Sequence, residues 1–238
     1  DNVTVIAEKL SAFETPRQFD VVTLIGVLEY AALDDDADEP AKAMLRKAAS
    51  MLKPDGFEGH FDPHIWFEVP LWKETVDVVV AGLSQLDPEH KVDYEANGNS
   101  AKTRMDELHQ WAEMKVAEIP VEKRILVTSH DAYNYFGRAY GFKVVGLQGI
   151  STVSEAGLAD RTKLGDFIKA QKVKAIFVET TVSPEAIKAI AADAGVTVGG
   201  ELFSDAMGER GQMEGELDLG TYEGMIRHNL TIIVNALR

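Results

Sequence analysis

Between residues 124 and 199 the chain alternates strand-like and helix-like segments, and this alternation constrains the fold more than any other feature. Residues 124–128, 142–147 and 173–178 are short runs rich in Val, Ile, Leu and Phe. Each precedes a helical or loop segment: 132–140, then a Gly/Ser loop with 158–171, then 184–194. A last run, 196–199, leads into a Gly-rich loop at 199–208, and 221–237 reads as a terminal helix. Such β-α alternation predicts an α/β fold with a parallel sheet and right-handed crossovers. Ligands on such sheets sit at the carboxyl ends of the strands. His130 lies just past the end of one run, and Asp205 lies in the loop after another.

The preceding part is more helical. Residues 69–86 carry apolar side chains at helical intervals, and Asp87-Pro88 ends the pattern. Residues 91–118 form a second long pattern closed by Pro120. Its middle is weakened by Gly98, since glycine costs a helix about 1 kcal/mol relative to alanine. Nearer the start, 3–6 is a short β-branched run. Residues 19–26 are almost continuously apolar, as in a parallel strand buried on both faces. An acidic loop at 34–39 leads to Pro40, placed to open a helix over 41–52 that Lys53-Pro54-Asp55-Gly56 stops.

Charge and composition narrow the partners. With 39 acidic residues against 24 Lys and Arg, the formal net charge is -15. That argues against a nucleic-acid surface, which needs clustered cations, and suits a cation-binding protein. No cysteine is present, so a metal would be held by nitrogen and oxygen. No run reaches the length of a membrane span. The sequence opens at Asp1 with no visible signal peptide, which reads as a processed, trimmed or engineered chain.

The stretch Gly59-His60-Phe61-Asp62-Pro63-His64-Ile65-Trp66 places two imidazoles four residues apart beside an Asp-Pro turn. Taken alone, His64 reads as a capping or packed histidine. His130, after a buried strand, could hydrogen-bond in the core, and Asp205 could cap the segment after its loop. Glu179 follows an apolar run. A surface or core-edge role is favoured for it over a carboxylate that orients His130. His90, His109 and His228 read as solvent-facing or packed, and Trp66 and Trp72 as core. The acidic loop at 34–39 lacks the spaced Gly and terminal Glu of a calcium loop. A zinc hydrolase is a rival reading, but the sequence has no His-Glu-x-x-His helix and no Gly-x-Ser-x-Gly elbow.

Several long stretches resemble the TroA-like (cluster A-I) solute-binding proteins of zinc and manganese ABC importers. They are Phe61-Asp-Pro-His-Ile-Trp-Phe67, Leu126-Val-Thr-Ser-His-Asp-Ala-Tyr-Asn-Tyr-Phe136, Tyr140-Gly-Phe-Lys-Val-Val-Gly-Leu-Gln-Gly149, Ile176-Phe-Val-Glu179 and Gly199-Gly-Glu-Leu-Phe-Ser-Asp-Ala-Met-Gly208. The resemblance implies two α/β lobes with parallel sheets joined by a long helix, with a metal between the lobes. It implies His64, His130 and Asp205 as ligands of Zn²⁺ or Mn²⁺, a membrane permease as partner, and a periplasmic or cell-surface location. It implies no catalysis. A histidine at 130, rather than a carboxylate, tilts the site toward zinc. The family's fourth ligand, a histidine in the first half of the amino-terminal lobe, has no counterpart in residues 1–56, which contain no histidine. His60 is the nearest substitute.

Residues 19–30 and 44–56 resemble instead the fourth strand and following helix of a class I S-adenosylmethionine-dependent methyltransferase. The Gly-rich first turn and the ribose-binding acid of that family are missing, so a borrowed piece of parallel sheet is favoured over methyl transfer. The two resemblances together suggest a chimera whose first lobe is truncated or replaced. The expected division is a partial amino-terminal lobe at 1–64, a connecting helix at 65–86 and a carboxyl-terminal lobe at 87–238. An incomplete lobe would leave a sheet edge or apolar face exposed and invite self-association. A protein derived from a methyltransferase without an intact cofactor site, and a ligand-free scaffold, are the alternative outcomes.

Overall fold

The structure, a computed structural model, describes residues 62–149 and 157–238. The strands expected at 3–6 and 19–26, the helix at 41–52, the acidic loop at 34–39 and His60 lie outside the described residues.

Helix α1, Val69–Leu86, carries Pro70 in its first turn, where a missing N–H leaves no bond unmade. Helix α2, Lys91–Val116, returns antiparallel along it, with Lys73 paired to Asp106 and Asp77 to Lys102. Gly98 does not interrupt α2. It is buried, and a Cβ there would sit 2.5 Å from Val80 Cγ2. A side chain at that position would force Val80 to shift, and packing outweighs the propensity penalty.

The expected alternation then follows. Strand β1, Ile125–Thr128, leads through α3, Asn134–Tyr140, to β2, Lys143–Gly146. Helix α4, Leu158–Gln171, precedes β3, Ala175–Glu179, and α5, Glu185–Ala194, joins it to β4, Thr197–Leu202. The pairs β1–β2 and β3–β4 are both parallel, and β1 lies beside β3. A short hairpin of β5, Met213–Glu214, and β6, Leu217–Asp218, leads to the final helix α6, Tyr222–Leu237. Thr221 caps α6 by accepting the Gly224 N–H.

Side chains of β3 divide between two cores, as the strand period demands. Ala175 and Phe177 join α1, α2, α3 and α6 on one face; Ile176 and Val178 join α4 and α5 on the other. The sheet is therefore covered on both sides, which explains why its strands are apolar runs rather than alternating ones.

Strand β4 is longer than the run at 196–199 suggests and continues through Gly200 to Leu202, residues the sequence alone assigns to a loop. Gly199 is the extra residue of a bulge opposite Ile176 and Phe177, and Gly200 adopts φ +151. A Cβ at 199 would press on Phe177 and Ala236, and one at 200 on Ile232. These glycines bring α6 against the sheet. The extended strand carries the chain to Asp205.

Candidate metal centre

Three carboxyl ends of strands meet at one place. The turn after β1 presents His130, β3 ends in Glu179, and β4 runs on through Phe203 and Ser204 to Asp205. His64 arrives from the segment before α1. His64 Nε2 lies 3.2 Å from Asp205 Oδ1, and His130 Nε2 lies 3.4 Å from Asp205 Oδ2. One donor atom from each residue lies within 4.8 Å of the others. Bonds of roughly 2.0–2.2 Å to one ion put neighbouring donors about 3.3–3.6 Å apart in a tetrahedral shell. His130 Nε2 is buried and has no well-aligned hydrogen-bond partner. A buried imidazole nitrogen facing another histidine and a carboxylate suits a cation.

Local sequence sets each side chain. At Asp62-Pro63-His64, Asp62 Oδ1 accepts the His64 backbone N–H at 2.9 Å, the bond of an Asx turn, and also lies 2.5 Å from His64 Nδ1. Asp62 Oδ2 accepts from Asn134 Nδ2 at 3.2 Å. A 3-10 turn, Ile65–Phe67, then buries three consecutive apolar residues and fixes the approach to α1. His130 is held by the loop that extends β1. Thr128 Oγ1 donates to the His130 carbonyl, and Leu147 and Gln148 donate to Thr128 and Ser129. Gly146 packs beneath this turn, where a Cβ would lie 2.8 Å from His130 C and Asp131 N.

Glu179 is buried, not at a core edge as the sequence favours. Its Oε1 accepts the His130 N–H at 2.9 Å, and its Oε2 lies 2.6 Å from His130 Nδ1. Both histidines thus have a buried carboxylate at Nδ1. In the neutral ring that partner keeps the proton on Nδ1 and leaves the Nε2 lone pair facing the site. Asp62 escaped sequence reasoning because Asp-Pro reads as a turn; its burial is the part no local pattern announces.

The carrier segment of Asp205 is fixed by side chains absent from the sequence argument. Asn229 clamps Phe203, accepting its N–H at 2.9 Å and donating to its carbonyl at 2.8 Å. Tyr133 Oη donates to the same carbonyl at 2.6 Å, and Trp66 Nε1 donates to the Ser204 carbonyl at 3.1 Å. Trp66 and Trp72 are core, as expected. His90 is exposed beside Asp87, His109 packs on Tyr140, and His228 packs on Phe203 and contacts Glu214.

Charge follows from this geometry. Burial opposes a proton on His64 and His130, but hydrogen bonding to Asp205 outweighs it, aided by Asp62 and Glu179 respectively. The His64 ring is raised above 6.5 and His130 is pushed up to about 10. Burial likewise opposes charge on Asp205, yet the two imidazoles hold its carboxyl well below the usual carboxylate range. Without metal the pocket favours a carboxylate between two histidines that hold their protons more tightly than usual. A cation would take the protons' place.

A parallel α/β sheet with two histidines and an aspartate converging beyond its strand ends is an arrangement that could hold a metal ion. The chain matches the family described as "Zinc-uptake complex component A periplasmic" over residues 7–236, and it belongs to that family. It is 45% identical over 192 residues to the manganese-binding lipoprotein MntA of Bacillus subtilis, covering 79% of this chain and 61% of that protein. It is 43% identical over 185 residues to the zinc-binding protein TroA of Treponema pallidum, covering 76% and 58%. The solved structure of the periplasmic zinc-binding protein TroA from Treponema pallidum superposes with a TM-score of 0.74 at 36% identity, covering 84% of this chain and 76% of that one. The chain spans about three fifths of the length of the curated relatives it matches.

The family match begins at residue 7 and runs through both stretches, 19–30 and 44–56, that resemble a methyltransferase strand and helix. A chimera therefore has no support. An apolar strand, a helix and a Lys-Pro-Asp-Gly turn are common to parallel α/β folds, so this pattern did not discriminate between families.

Proposed function

We propose that this chain binds Zn²⁺ or Mn²⁺ through His64, His130 and Asp205, as the solute-binding component of an ABC importer. The observation that supports it most is the meeting of these three side chains, with both buried histidines turning Nε2 to the Asp205 carboxylate at 3.2 and 3.4 Å. The relatives named for manganese and for zinc leave both ions in play. Two imidazoles against one carboxylate favour zinc, the softer partner. The work is binding rather than catalysis: the two buried carboxylates beside the site are engaged with the histidines. His60 is the proposed source of a fourth donor. The proposed division is a partial amino-terminal lobe at 1–64, a connection at 65–86 and a carboxyl-terminal lobe at 87–238. The proposed partner is a membrane permease, and the proposed location is the periplasm or cell surface. No helix among the described residues is long and apolar enough to cross a membrane.

Elemental analysis after exhaustive dialysis tests the reading, together with thermal melting at saturating zinc or manganese. One equivalent of metal and a raised Tm are expected, both lost in His130→Ala. Retention of no metal and an unmoved Tm in the unmodified chain would overturn it.

A further inference from the structure

The three proposed ligands are not held alike. Each histidine has a buried carboxylate at Nδ1, whereas Asp205 is 35% exposed. What does reach it from outside the ligand set is a hydroxyl chain. Thr181 follows the end of β3, and Thr180 N–H still pairs with the Leu202 carbonyl, so residues 181 and 204 emerge side by side. Thr181 Oγ1 lies 2.9 Å from Ser204 Oγ and 3.5 Å from Asp205 Oδ2. Ser204 is fully buried.

The direction of this chain follows from proton counting. A carboxylate only accepts, so the contact with Asp205 uses Thr181's proton. A hydroxyl has one proton, so in the other contact Ser204 donates to Thr181. Burial of Ser204 shields that bond from water. The relay runs Ser204 to Thr181 to Asp205, and it ends on the oxygen that faces His130.

We propose that Thr181, oriented by Ser204, is a positioning residue for Asp205 that slows release of the bound cation. The inference rests on the metal-site reading above. The contact of 3.5 Å, against 2.5 and 2.6 Å at the histidines, is a loose restraint. It limits rotation of the carboxylate without locking it. Thr181 is exposed, so its hydroxyl can be removed without opening a cavity.

The test is zinc dissociation into a chelator, followed by stopped flow, for the unmodified chain, Thr181→Val, Thr181→Ser, Ser204→Ala and Asp205→Ala. Thr181→Val is expected to release zinc about tenfold faster, the lower end of the effect of losing a partner behind a ligand. Thr181→Ser, which keeps the hydroxyl, should release it at the original rate, and Ser204→Ala should move toward Thr181→Val. The metal-free Tm of Thr181→Val should match that of the unmodified chain, separating positioning from stability. An unchanged rate in Thr181→Val, or a Thr181→Ser rate as fast as that of Thr181→Val, would overturn the proposal while leaving the metal site standing. If Asp205→Ala holds zinc as long as the unmodified chain, the site reading itself is wrong and the proposal falls with it.

Discussion

The histidine side and the aspartate side of the site are built on different principles. His64 and His130 are buried, each with its Nδ1 fixed by a carboxylate that is itself fully buried. Asp205 is half-exposed, and the structure braces its backbone instead, through Asn229, Tyr133 and Trp66 acting on Phe203 and Ser204. One side is preorganised to the atom; the other is preorganised only to the residue. In the proposed reading this asymmetry suits a site that captures and releases an ion: rigid donors would set affinity, and one adjustable carboxylate at the solvent edge would let the ion pass.

The contrast breaks most directly at the rigid side. Removing a donor by His130→Ala is expected to weaken zinc binding by at least about a hundredfold, as a structural zinc site shares its binding energy among few ligands. A chelator-competition titration reads this. Glu179→Gln keeps shape but changes what His130 Nδ1 meets, and should cost about tenfold to a hundredfold in affinity. An equal loss on conservative change around Asp205 would erase the distinction between the two sides.

Proton competition sharpens it further. Both histidines hold their protons more tightly than a free imidazole, with His130 at about 10, so metal must displace protons at neutral pH. Affinity should therefore climb with pH between 6 and 8, about tenfold per unit for each proton released. Calorimetry in buffers of different ionisation enthalpy counts those protons. The sign for the metal-free fold is opposite. Raised histidine pKa values give stability that is complete below about 6.5 and lost as pH rises through about 10. The depressed Asp205 carboxyl contributes above its ordinary range and is lost in strong acid. The metal-free Tm should fall from pH 7 to 10, and zinc should reverse the fall.

The smallest effect on the site is expected from a change remote from both sides. Gly98→Ala forces a Cβ toward Val80 between α1 and α2 and should cost about 1–3 kcal/mol of stability. Zinc affinity should stay within about twofold, as for independent sites. Thermal melting and titration of the same sample separate the two.

What the sequence revealed follows the same divide. The β-α alternation was legible because strands covered on both faces must be apolar throughout, and the helices at 69–86, 158–171 and 221–237 fall within a residue of expectation. The three candidate ligands were legible through resemblance, with strand-end placement in support. Their supports were not. Asp62 serves a turn and a histidine at once, and only the turn has a sequence signature. Glu179 is one acid after an apolar run, and nothing local says whether it is buried. Asn229 and Ser204 act across the fold from distant parts of the chain. The run at 196–199 reads as ending in a loop at Gly200 because glycine carries little strand propensity, although a bulge beneath α6 requires Gly199 and Gly200.

Zinc K-edge absorption of the zinc-loaded chain tests the central claim most directly, because it sees only what touches the ion. The account predicts two imidazole nitrogens and carboxylate oxygen within about 2.0–2.2 Å, with one imidazole lost in His64→Ala and one in His130→Ala. A shell of oxygen alone, or one unchanged by both substitutions, would contradict it.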